Sequence, residues 1–275
     1  MPKESLVNTA FLISGGGTTM NAAIEAYKNG EIAGIRPVLV ISSNKDAAGI
    51  EKANRWGIET RVCNRKMFAQ EGRSREEQEN LFSKALLELL NGSGVTHVLQ
   101  AGWTIYTPDE VIAAYETEGK VIANQHPAEI DPGRGHDFGG IGMRGLAPHC
   151  ARIAYFWMSG EPEPHTASTI HFAASGYDTG DLISVVEMPL RGFNFVIAPE
   201  DINREKYREE LVQRSRESQQ VLLPIEHQNV IAILKRFGSG ETIVGYRREI
   251  PLVPVENYPI LERARSLSRE LFPKG

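Results

Sequence analysis

Cysteine is scarce in this chain: Cys63 and Cys150 are the only two in 275 residues. Two thiols so far apart make no disulfide framework, and they fit a reduced, cytoplasmic protein. Long apolar runs are missing as well. No stretch of 18 apolar residues occurs, so the sequence gives no candidate membrane span. The opening MPKESLVNTAFLISGGG holds one lysine and a short apolar run ending in glycines. That run is too short for a signal sequence and reads as a first strand. Basic charge is not in excess either. Thirty Lys and Arg stand against 35 Asp and Glu, a net of −5. Such a chain has no global field to attract nucleic acid or an anionic membrane, although backbone amides can still bind an anionic small molecule. No internal repeat is visible.

What is present is the balance of a globular protein with a core, 41% apolar and 24% charged. The length suits one α/β domain with a C-terminal addition, with boundaries expected at 1–240 and 241–275. Thr9–Ser14 and Pro37–Ser42 are apolar on both faces, as buried parallel strands are. Glu59–Val62, His97–Ala101 and Lys120–Ala123 continue the series. Helical spacing fills the gaps at Met20–Tyr27 and Ala47–Trp56 and again after Ser74, where Ser74 and Glu77 have capping-box spacing. A further helix is expected to be capped by Thr107 with Pro108 in its first position. Strand and helix alternate four times in the first 125 residues, which predicts a doubly wound, mostly parallel sheet. Beyond it, Pro148–Met158, Asn203–Gln220, Pro224–Phe237 and Leu261–Leu271 read as helices. Ser168–Ala173, Leu182–Pro189 and the short run Thr242–Tyr246 read as strands. Residues 129–149 hold six glycines and two prolines in 21 positions, a long loop of the kind that often carries function.

Ligands of such sheets bind beyond the carboxyl ends of the strands, and three segments fall there. Gly15, Gly16, Gly17, Thr18 and Thr19 join the first strand to the first helix. Glycines let a phosphate approach a helix N-terminus. There is no Walker lysine, and Met20 occupies the third glycine position of a dinucleotide loop. The turn alone is equally a plain tight turn. Asn124-Gln125-His126-Pro127 ends the fifth strand. Period-two geometry turns Asn124 and His126 the same way, an amide donor beside an imidazole. Taken alone, the pair reads more readily as a histidine satisfied by a backbone carbonyl. Asp178 sits in a glycine-flanked turn after the strand carrying His171. It is placed to orient a histidine, or it is simply a turn aspartate.

The order of these features resembles the folate-dependent formyltransferase superfamily, and within it most closely the glycinamide ribonucleotide formyltransferases of purine biosynthesis. The likeness runs through LISGGGTTMNAAIEA, SSNKDAAGIEKANRWGI and LQAGW, then Asn-x-His-Pro and His-Phe-x5-Asp-x-Gly-Asp, over roughly residues 8–240. The resemblance implies a Rossmann-like fold with a C-terminal helical extension and a formyl transfer from 10-formyltetrahydrofolate, the co-substrate, to the amine of a phosphorylated acceptor. It implies Asn124, His126 and Asp178 as catalytic residues, and a phosphate on Gly15–Thr19. It also implies a folate pocket lined by Gly102, Trp103, Thr104, Ile105, Tyr106, Ala174, Ser175, Gly176 and Tyr177. No metal is expected, the partners are small molecules, and the protein is a monomer or homodimer, with Tyr207, Glu210 and Leu211 as contact candidates.

The sequence departs from that pattern in three places. Ala128-Glu129-Ile130-Asp131 stands where Ser-Leu-Leu-Pro is usual, the stretch to His171 is longer, and the Gly102–Tyr106 segment is one residue shorter and lacks an arginine. Other readings remain. His126, His136, Asp137, His149, Cys150, His165 and His171 are all metal-ligand types, but none makes a spaced pair. A formyltetrahydrofolate hydrolase would put water in place of the amine. A binding protein on the same fold would need none of the three catalytic side chains.

Overall fold

A computed structural model describes residues 6–192 and 195–273. The first five residues of the opening segment lie outside the described residues. The strands run β1 (Val7–Ile13), β2 (Ile35–Ser42), β3 (Glu59–Val62), β4 (His97–Ala101), β5 (Val121–His126), β6 (His165–Phe172) and β7 (Leu182–Pro189). The helices are α1 (Thr18–Lys28), α2 (Ala48–Arg55), α3 (Arg75–Gly92), α4 (Asp109–Thr117), α5 (Ala147–Ser159), α6 (Glu205–Gly238) and α7 (Tyr258–Leu271). The strand order is β3-β2-β1-β4-β5-β6-β7, parallel over the first five strands and antiparallel between β6 and β7. The sheet is therefore mostly parallel, as the strand–helix alternation predicted.

The chain divides into two compact units. One takes in the described parts of Met1–Gln125, Phe172–Ser175 and Val230–Val244. Its strands bury both faces: Ala10, Phe11, Leu12, Ile13, Leu39, Val40 and Ile41 are all inaccessible or nearly so, which is what helices on both sides of a parallel sheet require. The capping box of α3 is formed. Glu77 N donates to Ser74 Oγ at 3.1 Å and Ser74 N donates to Glu77 Oε2 at 2.7 Å, so two amides of the first turn are satisfied reciprocally. The start of α4 differs from expectation. Pro108 takes the cap position, because the Thr107 hydroxyl is used elsewhere, accepting from Gln100 Nε2 at 2.8 Å and Trp103 Nε1 at 3.1 Å. In the same unit Gly34 and Gly238 meet backbone to backbone. Gly34 has φ +77°, and a Cβ on it would collide with the Gly238 carbonyl.

The other unit comprises His126–His171, Gly176–Asn229 and the described part of Gly245–Gly275. Helix α5 is buried over almost its whole length, with Trp157, Tyr155, Phe138 and Leu261 at the centre of the core, and α7 packs on it. Arg152 of α5, 2% exposed, donates to Glu129 Oε1 at 2.9 Å, and Glu129 is wholly buried. The guanidinium lies 4.0 Å from the Phe156 ring centre and 4.7 Å from that of Phe138. His165 Nε2 stands 3.2 Å from the same carboxylate oxygen. The two helices expected at Asn203–Gln220 and Pro224–Phe237 form a single one. Pro224 sits inside α6, where it costs one backbone hydrogen bond without ending the helix. The strand expected at Thr242–Tyr246 shrinks to one bridge, where Tyr246 and Leu182 exchange backbone hydrogen bonds of 2.9 and 2.8 Å. Among the described residues no helix is long and apolar enough to cross a membrane.

Candidate active site

In the first unit, strand register gathers the carboxyl ends. Leu12 pairs with Ile41 and Gln100, and Gln100 with Asn124, so Asn124 lies in the last rows before the turn that follows β1. That turn, Gly15–Gly17, is open and leads directly into α1, whose cap residue Gly17 is left-handed at φ +59°. No side chain caps the helix and no acid lies in its first turn, so its amide end and positive dipole end face outward, suited to an anion. A side chain at Gly17 is impossible without rearrangement: its Cβ would stand 2.8 Å from Met20 Cε and 2.9 Å from Gly49 Cα. Ser14 joins this turn to the next segment, because Thr104 N donates to Ser14 Oγ at 2.8 Å and Ser14 N to Gly102 O at 2.9 Å. Gly102 carries φ +79°. Trp103 is mostly buried in the core, while Ile105 packs at its edge. Asp109 gathers two of the expected folate-wall segments: it accepts from Tyr106 Oη and, at 3.1 Å, from Ser175 Oγ.

In the second unit, His126 closes β5 and Asp178 follows β6. Asp178 lies between two imidazoles. His126 Nδ1 is 3.6 Å from Asp178 Oδ2, and His171 Nε2 is 3.4 Å from Asp178 Oδ1. The Gly140 amide donates to Asp178 Oδ2 at 2.9 Å. Burial alone would raise this carboxyl, but the neighbouring His126 and His171 and the Gly140 amide outweigh it and hold the group well below the usual carboxylate range. Asp178 itself adopts φ +57°, uncommon for any residue but glycine and tolerated best by Asn and Asp. His126 Nε2 is 3.0 Å from the Phe138 carbonyl. A carbonyl only accepts, so Nε2 carries the hydrogen and Nδ1 is the nitrogen that faces Asp178. Both side chains are nearly buried.

These features coincide with a match to known proteins. The family model described as Formyl transferase matches residues 7–192. The chain belongs to the formyl transferase family. It is 30% identical over 196 residues to the phosphoribosylglycinamide formyltransferase of Schizosaccharomyces pombe, covering 69% of this chain and 86% of that one. To the chloroplastic phosphoribosylglycinamide formyltransferase of Arabidopsis thaliana it is 31% identical over 175 residues, 64% of this chain and 52% of that one. The chain thus spans about half the length of the chloroplastic relatives it matches. In structure it is similar to glycinamide ribonucleotide transformylase 1 from Symbiobacterium toebii, with a TM-score of 0.64, 23% identity, and 89% and 93% of the two chains covered. That likeness speaks for the fold.

Within this member of the formyl transferase family, the expected site residues fall into two groups. Gly15–Thr19, Asn124, Gly102–Tyr106, Ala174 and Ser175 belong to the first unit, while His126, Asp178, Gly176 and Tyr177 belong to the second. Tyr177 is exposed. The ligand-type residues do not converge: among the described residues no three His, Cys, Asp or Glu side chains are arranged to hold a metal ion. His136 stacks on Tyr258 at 3.6 Å, Asp137 accepts from the amides of Asp131 and Gly139, and His149 Nδ1 pairs with Ser218 Oγ at 3.1 Å. Cys63 and Cys150 are free and buried. Two participants carried no sequence signal as individuals, namely the Phe138 carbonyl and the Gly140 amide. Their chemistry is backbone recognition, and only the glycine density of 129–149 hinted that this loop was built for it.

Proposed function

We propose that this formyltransferase moves the formyl group of 10-formyltetrahydrofolate onto the amine of glycinamide ribonucleotide, a step of purine biosynthesis. The amine nitrogen attacks the formyl carbon, the bond from that carbon to N10 of the folate breaks, and a proton from the amine ends on N10. Asn124 and His126, protonated at Nδ1, stabilise the tetrahedral oxyanion. The Asp178 carboxylate balances the imidazolium charge and passes the amine proton, through water where the geometry requires it. The ribonucleotide phosphate rests on Gly15–Thr19 at the α1 N-terminus. Gly102–Tyr106 and Ala174–Tyr177 line the folate pocket. The observation that carries this reading is the buried Asp178 carboxylate, ionised between His126 and His171 and fixed by the Gly140 amide, in a chain of the formyl transferase family.

Residues 1–240 form the catalytic body in this reading and 241–275 an extension of it. The substrates are small molecules, and the protein works as a monomer or homodimer in the cytoplasm. The test is a spectrophotometric assay of tetrahydrofolate release with glycinamide ribonucleotide, with other amines, and with none. Release that depends on glycinamide ribonucleotide supports the reading. Equal release without any amine would make the protein a formyltetrahydrofolate hydrolase, and release with a different amine would replace the acceptor.

A further inference from the structure

The geometry points to Arg265, on the C-terminal helix α7, as a positioning residue of the active site. It holds the loop 135–140, whose Phe138 carbonyl orients His126 and whose Gly140 amide orients Asp178. The Arg265 Nη1 donates to the carbonyls of Gly135 at 3.1 Å and Asp137 at 3.2 Å, and Nη2 donates to the Gly139 carbonyl at 3.2 Å. Three bonds from one planar fork to alternate residues leave the intervening Phe138 peptide little freedom. The guanidinium is mostly buried, with its side chain 12% exposed, so water replaces these bonds poorly.

The rest of α7 meets the same loop. Tyr258, Arg265 and Arg269 are spaced seven and four apart, which puts them on one helix face. Tyr258 stacks on His136. A Cβ on Gly142 would stand 3.0 Å from Arg269 Cδ, and one on Gly140 would stand 3.3 Å from Arg265 Nη2. The glycines of the loop therefore make room for the arginines of the helix. Asp137 ties the loop from within through the Asp131 and Gly139 amides. Burial pushes the Asp137 carboxyl up, against the Asp131 and Gly139 amides first and the Arg265 charge after them. The lengthened loop and the C-terminal helix are thus two halves of one device. Its product is a fixed ring orientation at His126: with Nε2–H held by the Phe138 carbonyl, Nδ1 is the working nitrogen beside Asp178.

This role rests on the formyl-transfer reading for its kinetic arm but not for its structural arm. The experiment compares wild type, Arg265→Ala and Arg265→Lys by kinetics, by hydrogen exchange of the 135–142 backbone and by a carboxyl NMR titration of Asp178. In Arg265→Ala, kcat should fall ~100-fold, the scale of a 1 Å misplacement, with KM for both substrates within ~3-fold of wild type. The loop amides should exchange faster while those of β4 and β6 stay as they are. The Asp178 carboxyl should titrate at higher pH as the Gly140 amide drifts away. Added ethylguanidinium should restore part of kcat. Arg265→Lys keeps the charge but not the fork, and should stay impaired; it serves as the reporter should the alanine variant not fold. Unchanged loop exchange overturns the inference, as does a loosened loop with unchanged kcat. A rise in kcat overturns it too, because the loop would then be an obstacle. If the wild type transfers formyl to no amine, the functional reading fails, while exchange and the Asp178 titration still decide the clamp.

Discussion

Gly139 and Asp178 are packed so closely that neither has room for one more carbon between them. A Cβ built on Gly139 would stand 2.9 Å from Asp178 Cβ and 2.8 Å from Ile130 Cγ2. Gly139→Ala must therefore displace Asp178 or shift the loop. The expected cost is about 1–3 kcal/mol of stability, typical of overpacking, with kcat down ~100-fold from misplacement of the carboxylate. Thermal melts and steady-state kinetics read the two effects separately. Unaltered kinetics would mean that this contact does not set the carboxylate's place.

Asp178 should also appear in the pH dependence of folding. Its carboxyl is held below the ordinary range in the folded protein, so the unfolded chain takes up its proton first as the pH falls. The stabilisation is fully present above the unfolded value of about 4 and is lost as the pH drops through the folded value. Asp178→Asn removes the charge at every pH. The stability difference between it and wild type should be about 1–3 kcal/mol near neutrality and shrink toward zero in strong acid, as urea titrations at a series of pH values would measure. The same variant should lose at least ~100-fold in kcat.

His149 works in the opposite chemical sense with the same slope. Burial, with a smaller push from nearby His126, takes its imidazole down to about 3, and its Nε2 has no hydrogen-bond partner. An unfolded histidine protonates near 6.5, so between these values the unfolded state holds the extra proton and stability rises with pH. Wild type should lose up to about 1.4 kcal/mol per pH unit as the pH falls below 6.5. In His149→Gln that component disappears and the profile flattens. Equal slopes for the two proteins would refute the assignment to His149.

Much of this architecture could be read from local patterns. Doubly apolar strands, the Ser74–Glu77 capping box and the Gly-rich turn after β1 all carry their structural consequence within a few residues. So does the turn around Asp178. Three features escaped. Pro224 marks a helix boundary in most contexts, yet α6 runs through it. Thr107 looked like a cap, but its hydroxyl was claimed by the Gln100 and Trp103 donors. Arg265 binds carbonyls 126 to 130 positions away, and a backbone acceptor leaves no mark in the amino-acid string.

The contact between Gly34 and Gly238 gives a test of the first unit alone. Both Gly34→Ala and Gly238→Ala would drive a methyl group into a backbone carbonyl, and Gly34 has a positive φ besides. Backbone atoms cannot yield as a side chain does, so each variant should lose more than ~3 kcal/mol. Chemical denaturation measures this directly, and a loss below ~1 kcal/mol would show that the close approach relaxes.

The buried Glu129–Arg152 pair stands in a small network. Glu129 Oε1 also faces His165 Nε2 at 3.2 Å, and Arg152 Nη1 lies 3.6 Å from Glu161 Oε2. Removing either partner leaves the other charge buried with one weaker contact, at a cost of up to about 3–5 kcal/mol, a large part of a typical domain's whole stability. Exchanging both for apolar residues of like volume removes the two charges together, so the double variant should be more stable than either single one.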